Sequence, residues 1–183
     1  LGVGVLVFGF GLTPSSPPID VILIILSVVL AASSLQASGG LTLLVRLAEK
    51  MLRRHPRYIT LLAPFICYIF TFMSGTGHVV YSLLPVISEV ARDSGIRPER
   101  PLSISVIASQ QAITASPISA AMAAMIGLMA PFGISISTIM MICVPATLIG
   151  VATGALATFN KGKELKDDPE YQRRLAEGLL KQI

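Results

Sequence analysis

Charge is what this sequence has least of. Of 183 residues, 13% are charged and 53% hydrophobic, where a soluble domain carries roughly 25% charge. The shortage is uneven, since residues 1–19, 21–45, 58–77 and 101–160 hold no Asp, Glu, Lys, Arg or His. About 17 to 25 apolar residues span a bilayer, so several of these runs qualify. The 60-residue uncharged run 101–160 excludes an ordinary soluble core. Cysteine is scarce too. Cys67 and Cys143 both lie in apolar runs without C-x-x-C or histidine spacing, which excludes a cysteine metal site and leaves them as packing residues. No metal site is expected. The sequence opens on Leu inside an apolar run, with neither the basic start nor the small-residue cleavage site of a signal peptide. It therefore reads as a fragment.

The charge that is present sits where loops should be. The net charge of +4 could suggest a nucleic-acid partner, but the Lys and Arg occupy short segments flanking apolar runs, as cytoplasmic loops do beside anionic lipid. No nucleic-acid partner is expected; membrane lipid is. The pattern gives an all-α membrane protein. Its spans are expected at about 1–12, closed by TPSSPP, and at 19–37, closed by SGG. Over 41–55, Leu44, Leu47, Ala48, Met51 and Leu52 recur at helical spacing opposite Arg46, Glu49, Lys50, Arg53 and Arg54, which predicts an amphipathic helix in the membrane interface.

The next region, 58–92, is bounded by five basic residues in 46–57 and by Arg92, Arg97 and Arg100 after it. The positive-inside rule puts both flanks in the cytoplasm. Two full crossings need about 40 residues at 1.5 Å per residue, and about 34 are available. A re-entrant helical hairpin fits, with its tip at SGTGH, residues 74–78. After GIRPERP the run 101–129 is interrupted by TASPIS at 114–119. Ser116-Pro117 is a helix start signal, so a broken helix is expected, one half ending near Ala112 and the other starting near Pro117. APFG at 130–133 turns the chain into a span over 134–159. The transmembrane part then covers 1–163. Residues 164–183 form a cytoplasmic segment in which Asp168-Pro169-Glu170 starts a short helix reaching about Leu180.

Unpaired backbone groups cost several kcal/mol each in hydrocarbon, so irregular chain at membrane depth survives only inside protein or beside a watery cavity. A half-helix begins at each break and offers its positive end and free N–H groups, which favours an anion. Loose carbonyls at the preceding helix ends can hold Na⁺ or help pass a proton. Ser74, Thr76, His78, Thr114, Ser116 and Ser119 supply donors suited to a carboxylate, and Gly75, Gly77 and Pro117 shape the backbone around it. Gln110 and Gln111, one turn before the break, are candidate cavity-lining residues. The plainer alternative is that small and hydroxyl residues simply pack helices. Against that, an ionisable His78 is costly in an apolar run unless it has a use. Two rival classes are weaker. An intramembrane hydrolase with a Ser116–His78 dyad lacks the G-x-S-x-G and H-E-x-x-H motifs, so no enzyme is expected. A passive channel would show conductance without saturable exchange.

LQASGGL at 35–41, AEKMLRRHPRYI, SGTGHVVY, GIRPERPL, ITASPISAA and GKELKDDPEYQ together resemble the anaerobic C4-dicarboxylate transporter (Dcu) family, nearest its B-type branch, over essentially the whole chain. The resemblance implies one half of an inverted-repeat transporter of the wider ion-transporter superfamily, with SGTGH as hairpin tip and TASPIS as helix break. It implies a multi-pass inner-membrane antiporter or cation-coupled carrier of fumarate, malate, aspartate and succinate in anaerobic respiration. No cofactor is implied beyond H⁺ or Na⁺ as coupling ion. The implied partners are the C4-dicarboxylate, the missing second half of the same chain and a homo-oligomeric copy. A carrier of another small organic anion, of citrate or gluconate type, is the alternative on a related scaffold. No Arg or Lys lies at membrane depth, so a cation or further helix ends are expected from the second half.

Overall fold

The computed structural model describes residues 5–11, 19–161 and 165–178. Every regular element among them is helical. Three stretches, Pro56–Ser74, Glu99–Phe132 and Ile136–Phe159, are long and apolar enough to cross a bilayer. The protein is an all-α membrane protein. Of the first expected span, the described part holds a five-residue π-helical stretch, Val5–Gly9. The expected proline-serine break at 13–18, Lys163 and the helix end near Leu180 fall outside the described residues.

Helix α1, Ile19–Ala37, is followed by α2, Gly40–Arg54. The periodicity of α2 has a direct structural result. Ala48 and Leu52 are fully buried against the helices that follow, while Arg46, Lys50, Arg53 and Arg54 stay exposed. Arg53 also bridges Glu49 at 2.9 Å and Glu89 at 3.2 Å. Such exposed pairs contribute about 0–1 kcal/mol, less than the ~1.5–3 kcal/mol of burying a leucine such as Leu52. Apolar packing therefore sets where α2 lies.

Helices α3, Ile59–Ser74, and α4, His78–Asp93, fold back on each other across residues 75–77. One face of α3, with Ile59, Ala63, Ile66 and Cys67, packs on Val80, Leu83, Ile87 and Val90 of α4. Beyond them come α5, Glu99–Ala115; α6, Ala120–Met129; α7, Ile136–Phe159; and the short α8, Pro169–Ala176. Among the described residues the pairing of α3 with α5 is the most extensive. It works because α5 presents Ser105, Ala108, Ser109, Ala112 and Ala115, all fully buried, and small side chains let two backbones approach closely. A hydroxyl pair joins the helices across this contact, Thr71 Oγ1 to Ser109 Oγ at 2.9 Å, and a second pair joins α3 to α7, Tyr68 OH to Thr147 Oγ1 at 2.8 Å. Thr147 gives its own proton to the Cys143 carbonyl at 2.7 Å, so the tyrosine is the donor in that pair. On the outside, Ile69, Met73, Met141, Ile142, Ile149 and Leu156 are exposed, apolar surface of the kind a bilayer covers.

The break between α5 and α6 differs in detail from the sequence expectation. Helix α5 runs on to Ala115 and α6 starts at Ala120, rather than at Ala112 and Pro117. Ser116 is extended, with φ −73° and ψ 126°, the conformation that a following proline enforces. It therefore ends α5 instead of starting α6. The cap of α6 is Ser119, whose Oγ accepts from the Met122 N–H at 3.0 Å. At the far end Asp168 caps α8 by accepting from the Glu170 and Tyr171 N–H groups.

Candidate functional site: a hairpin tip against a helix break

The tip of the α3–α4 hairpin rests on the α5–α6 break. At Gly75 the backbone is left-handed, φ +69°, and a Cβ there would stand 2.6 Å from the Ile118 carbonyl oxygen. Only glycine meets both the dihedral and the approach. At Gly77 a Cβ would meet Ile113 Cδ1 at 3.2 Å, Gln110 Nε2 at 3.4 Å and Ser109 Oγ at 3.4 Å. A cross-link of hydrogen bonding fixes the pair. Ser116 Oγ donates to the Phe72 carbonyl at 2.7 Å, so the break supplies a partner to one of the four C-terminal carbonyls that α3 leaves open.

A cavity of about 290 Å³ lies between tip and break, lined by Gly75, Thr76, Gly77, His78, Tyr81, Gln110, Ile113, Ala120 and Ala121. Its electrostatics come from backbone as much as from side chains. His78 is the first residue of α4, and Ala120 and Ala121 are the first two of α6. Two helix N-termini thus border one space, each carrying the equivalent of about half a positive charge. No side chain caps the start of α4; the nearest substitute is a long contact of 3.4 Å from the His78 N–H to Thr76 Oγ1. His78 is exposed, its ring centroid 6.1 Å from that of Tyr81. The space can hold an anionic group against N–H donors, with imidazole, phenol, hydroxyl and amide groups around it.

Of the residues expected at the site, Gly75, Thr76, Gly77, His78 and Gln110 line this cavity and the others do not. Ser74 is buried and donates to the Thr71 and Thr76 carbonyls. Ser116 and Ser119 are fully buried, the first bonded to Phe72 and the second capping α6. Thr114 turns its hydroxyl back onto the Gln111 carbonyl at 2.7 Å, and Gln111 is exposed outside the lining. Pro117 belongs to the break itself. These hydroxyls bond backbone groups of the tip, the break and the end of α5. Tyr81, Ile113, Ala120 and Ala121 were not singled out from the sequence. Tyr81 is three residues after His78 and Ile113 three after Gln110, so helical spacing puts both on the faces of residues already chosen.

A family model described as "Anaerobic c4-dicarboxylate membrane transporter" matches residues 1–183. The chain belongs to this family. It is 50% identical over 181 residues to the C4-dicarboxylate transporter DcuA of Wolinella succinogenes, covering 99% of this chain and 42% of that protein. To DcuA of Escherichia coli K12 it is 47% identical over 181 residues, covering 98% and 42%. To the anaerobic C4-dicarboxylate transporter DcuB of Escherichia coli O6:H1 it is 42% identical over 178 residues, covering 94% and 40%. Identity to these DcuA proteins exceeds that to this DcuB, which does not favour the B-type branch over the A-type. The chain spans about two fifths of the length of these relatives. No solved structure matches it at a significant level.

Proposed function

We propose that this chain forms part of a secondary carrier that moves C4-dicarboxylates, among them fumarate, malate, aspartate and succinate, across the bacterial inner membrane by exchange or cation-coupled uptake. The observation that carries this reading is the meeting of the two helix N-termini at one cavity between hairpin tip and helix break. Family membership supports it, and so do the names of the relatives. On this reading the hairpin is re-entrant and the α5–α6 helix is discontinuous at membrane depth, so that the cavity lies where an alternating-access carrier holds its ligand. One carboxylate of the substrate takes the N–H groups at the starts of α4 and α6, with Thr76, His78 and Gln110 completing its hydrogen bonds. Tyr81 flanks the bound anion. Among the described residues the lining has no Arg or Lys, so the second carboxylate is met by a cation or by further helix ends from a second half of the carrier. H⁺ or Na⁺ serves as coupling ion, and no enzymatic step is involved. Ser116 in particular already gives its hydroxyl proton to the Phe72 carbonyl, a structural use that leaves it a poor nucleophile.

Counterflow in proteoliposomes with labelled succinate, fumarate, citrate and gluconate tests the assignment. Saturable exchange of the C4 acids is the expected result, and His78→Ala and Thr76→Ala reduce it without changing membrane insertion. Exchange of citrate or gluconate but of no C4 acid would transfer the reading to the related organic-anion carriers. Wild-type exchange in both variants would reduce the tip to a turn.

A further inference from the structure

The outward faces of the helices differ in chemistry. On α7 the large exposed side chains are apolar: Met141, Ile142, Ile149 and Leu156. On α4 and α5 the outward faces are mostly polar. From the tip down to Glu89, the exposed residues of α4 are His78, Tyr81, Ser82, Pro85 and Glu89. Those of α5 beyond its first turn are Ser103, Ile107, Gln110, Gln111 and Thr114. Spacings of three, four and seven residues put each set on a single helical face. The two faces meet at the cavity, because His78 and Tyr81 of one and Gln110 of the other line it. From there the α4 face runs to Glu89, which Arg53 bridges at 3.2 Å. The helix from His78 to Glu89 covers about 17 Å at 1.5 Å per residue, roughly half of a ~30 Å hydrocarbon layer.

We propose that these two faces wall a water-filled route from the cavity to the cytoplasmic surface, along which the anion enters and leaves. The inference rests on the carrier reading of the cavity. Three observations lead there. First, Gln110 and Gln111 lie inside the uncharged run 101–160, where an amide against hydrocarbon is costly, and among the described residues neither side-chain amide has a hydrogen-bond partner. The Ser82 hydroxyl is open in the same way. Thr153, on the exposed face of α7, does the opposite and gives its proton to the Ile149 and Gly150 carbonyls of its own helix, which hides a hydroxyl from lipid. Second, polar and ionisable side chains at membrane depth turn to protein or to water-filled cavities, and no described helix covers these. Third, α4 ends and α5 begins at the basic flank of Arg92, Arg97 and Arg100, the side that the positive-inside rule assigns to the cytoplasm. The route opens there.

The test is cysteine accessibility of the intact protein in membrane vesicles, with a membrane-impermeant methanethiosulfonate added from either side. The thiolate is the reacting form, so a thiol must meet water to be modified. Ser82→Cys, Ser103→Cys and Gln111→Cys are modified from the cytoplasmic side, while Met141→Cys and Ile149→Cys stay unmodified over the same time. The unsubstituted protein, with Cys67 buried and Cys143 half-buried, is the blank. Succinate or fumarate slows modification of Gln111→Cys, next to the cavity, more than that of Ser103→Cys, nearer the mouth. Failure of Ser82→Cys and Gln111→Cys to react from either side would mean that protein or lipid covers these faces and would overturn the proposal. Equal modification of the α7 positions, or modification from the outer side alone, would overturn it too. The expected pattern with no slowing by any C4 acid would uphold the water route and overturn the dicarboxylate reading instead.

Discussion

Replacing Gly75 by alanine separates two costs that usually arrive together. The first is conformational. A non-glycine residue at φ +69° loses about 1–2 kcal/mol relative to a right-handed backbone. The second is steric. The new Cβ would lie 2.6 Å from the Ile118 oxygen and 2.9 Å from its carbonyl carbon, where uncrowded contacts begin near ~3.5 Å. Both neighbours are backbone, so no rotamer change relieves the clash, and tip and break must part by about 1 Å. Gly95 provides the control, because it has φ +71° but nothing within 4 Å of its Cβ position. Gly95→Ala therefore carries the first cost without the second. Both variants should lose stability on unfolding in detergent, Gly75→Ala by more because it carries the steric cost as well. Only Gly75→Ala should lose exchange, by roughly tenfold to a hundredfold if a displacement of this size acts as it does in other preorganised sites. The measurement is labelled-succinate counterflow, normalised to inserted protein. Equal exchange by the two variants would show that the close approach of Gly75 to Ile118 has no part in transport.

Two further outcomes are open to direct measurement. In a double-mutant cycle of Thr71→Val and Ser109→Ala, the 2.9 Å hydroxyl pair should show a coupling of about 0.6 kcal/mol, and at most ~1.7 kcal/mol, as interhelical hydrogen bonds in membrane proteins do; additive losses would mean that the pair contributes nothing specific. In the polar segment, hydrogen bonds from Arg173 and Arg174 hold the Glu170 carboxyl down to about 2, from an ordinary 4.5. A depressed carboxyl stabilises the fold above its unfolded value, and that contribution is lost as pH falls from 4.5 toward 2. Amide exchange in α8, corrected for intrinsic rates, should therefore rise over that window in the wild type and stay flat in Glu170→Gln.

What could be read from the sequence was whatever local chemistry decides. Gly75 marks the end of α3 because an αL residue is needed there, and the Ser-Pro pair stops α5 because proline forces its predecessor out of helical geometry. Of the periodic apolar set in α2, Ala48 and Leu52 are buried while Leu47 and Met51 stay exposed, since spacing marks an apolar face but not how much of it other helices cover. The choice between Ser116 and Ser119 as cap was harder, since both precede an apolar run; two more residues, Ile118 and Ser119, separate the proline from the helix that follows. Tyr81 was hidden for another reason. An aromatic residue in an apolar helix has no sequence mark that tells a cavity wall from a packed core. Pairings such as Tyr68 with Thr147, 79 residues apart, depend on which helices become neighbours, and hydroxyl residues recur too often in these helices for sequence to choose among them.

The bond from Ser116 to the Phe72 carbonyl makes the two irregular places in the chain answer for each other. If residues 116–119 were straightened into continuous helix, the Phe72 oxygen would be stranded, at about 1–3 kcal/mol for an acceptor left without its donor. If the tip were remodelled so that Phe72 turned away, the Ser116 hydroxyl would be the one left over. Neither defect can be mended alone without opening a worse one, so variation in this protein should preserve both or erase both.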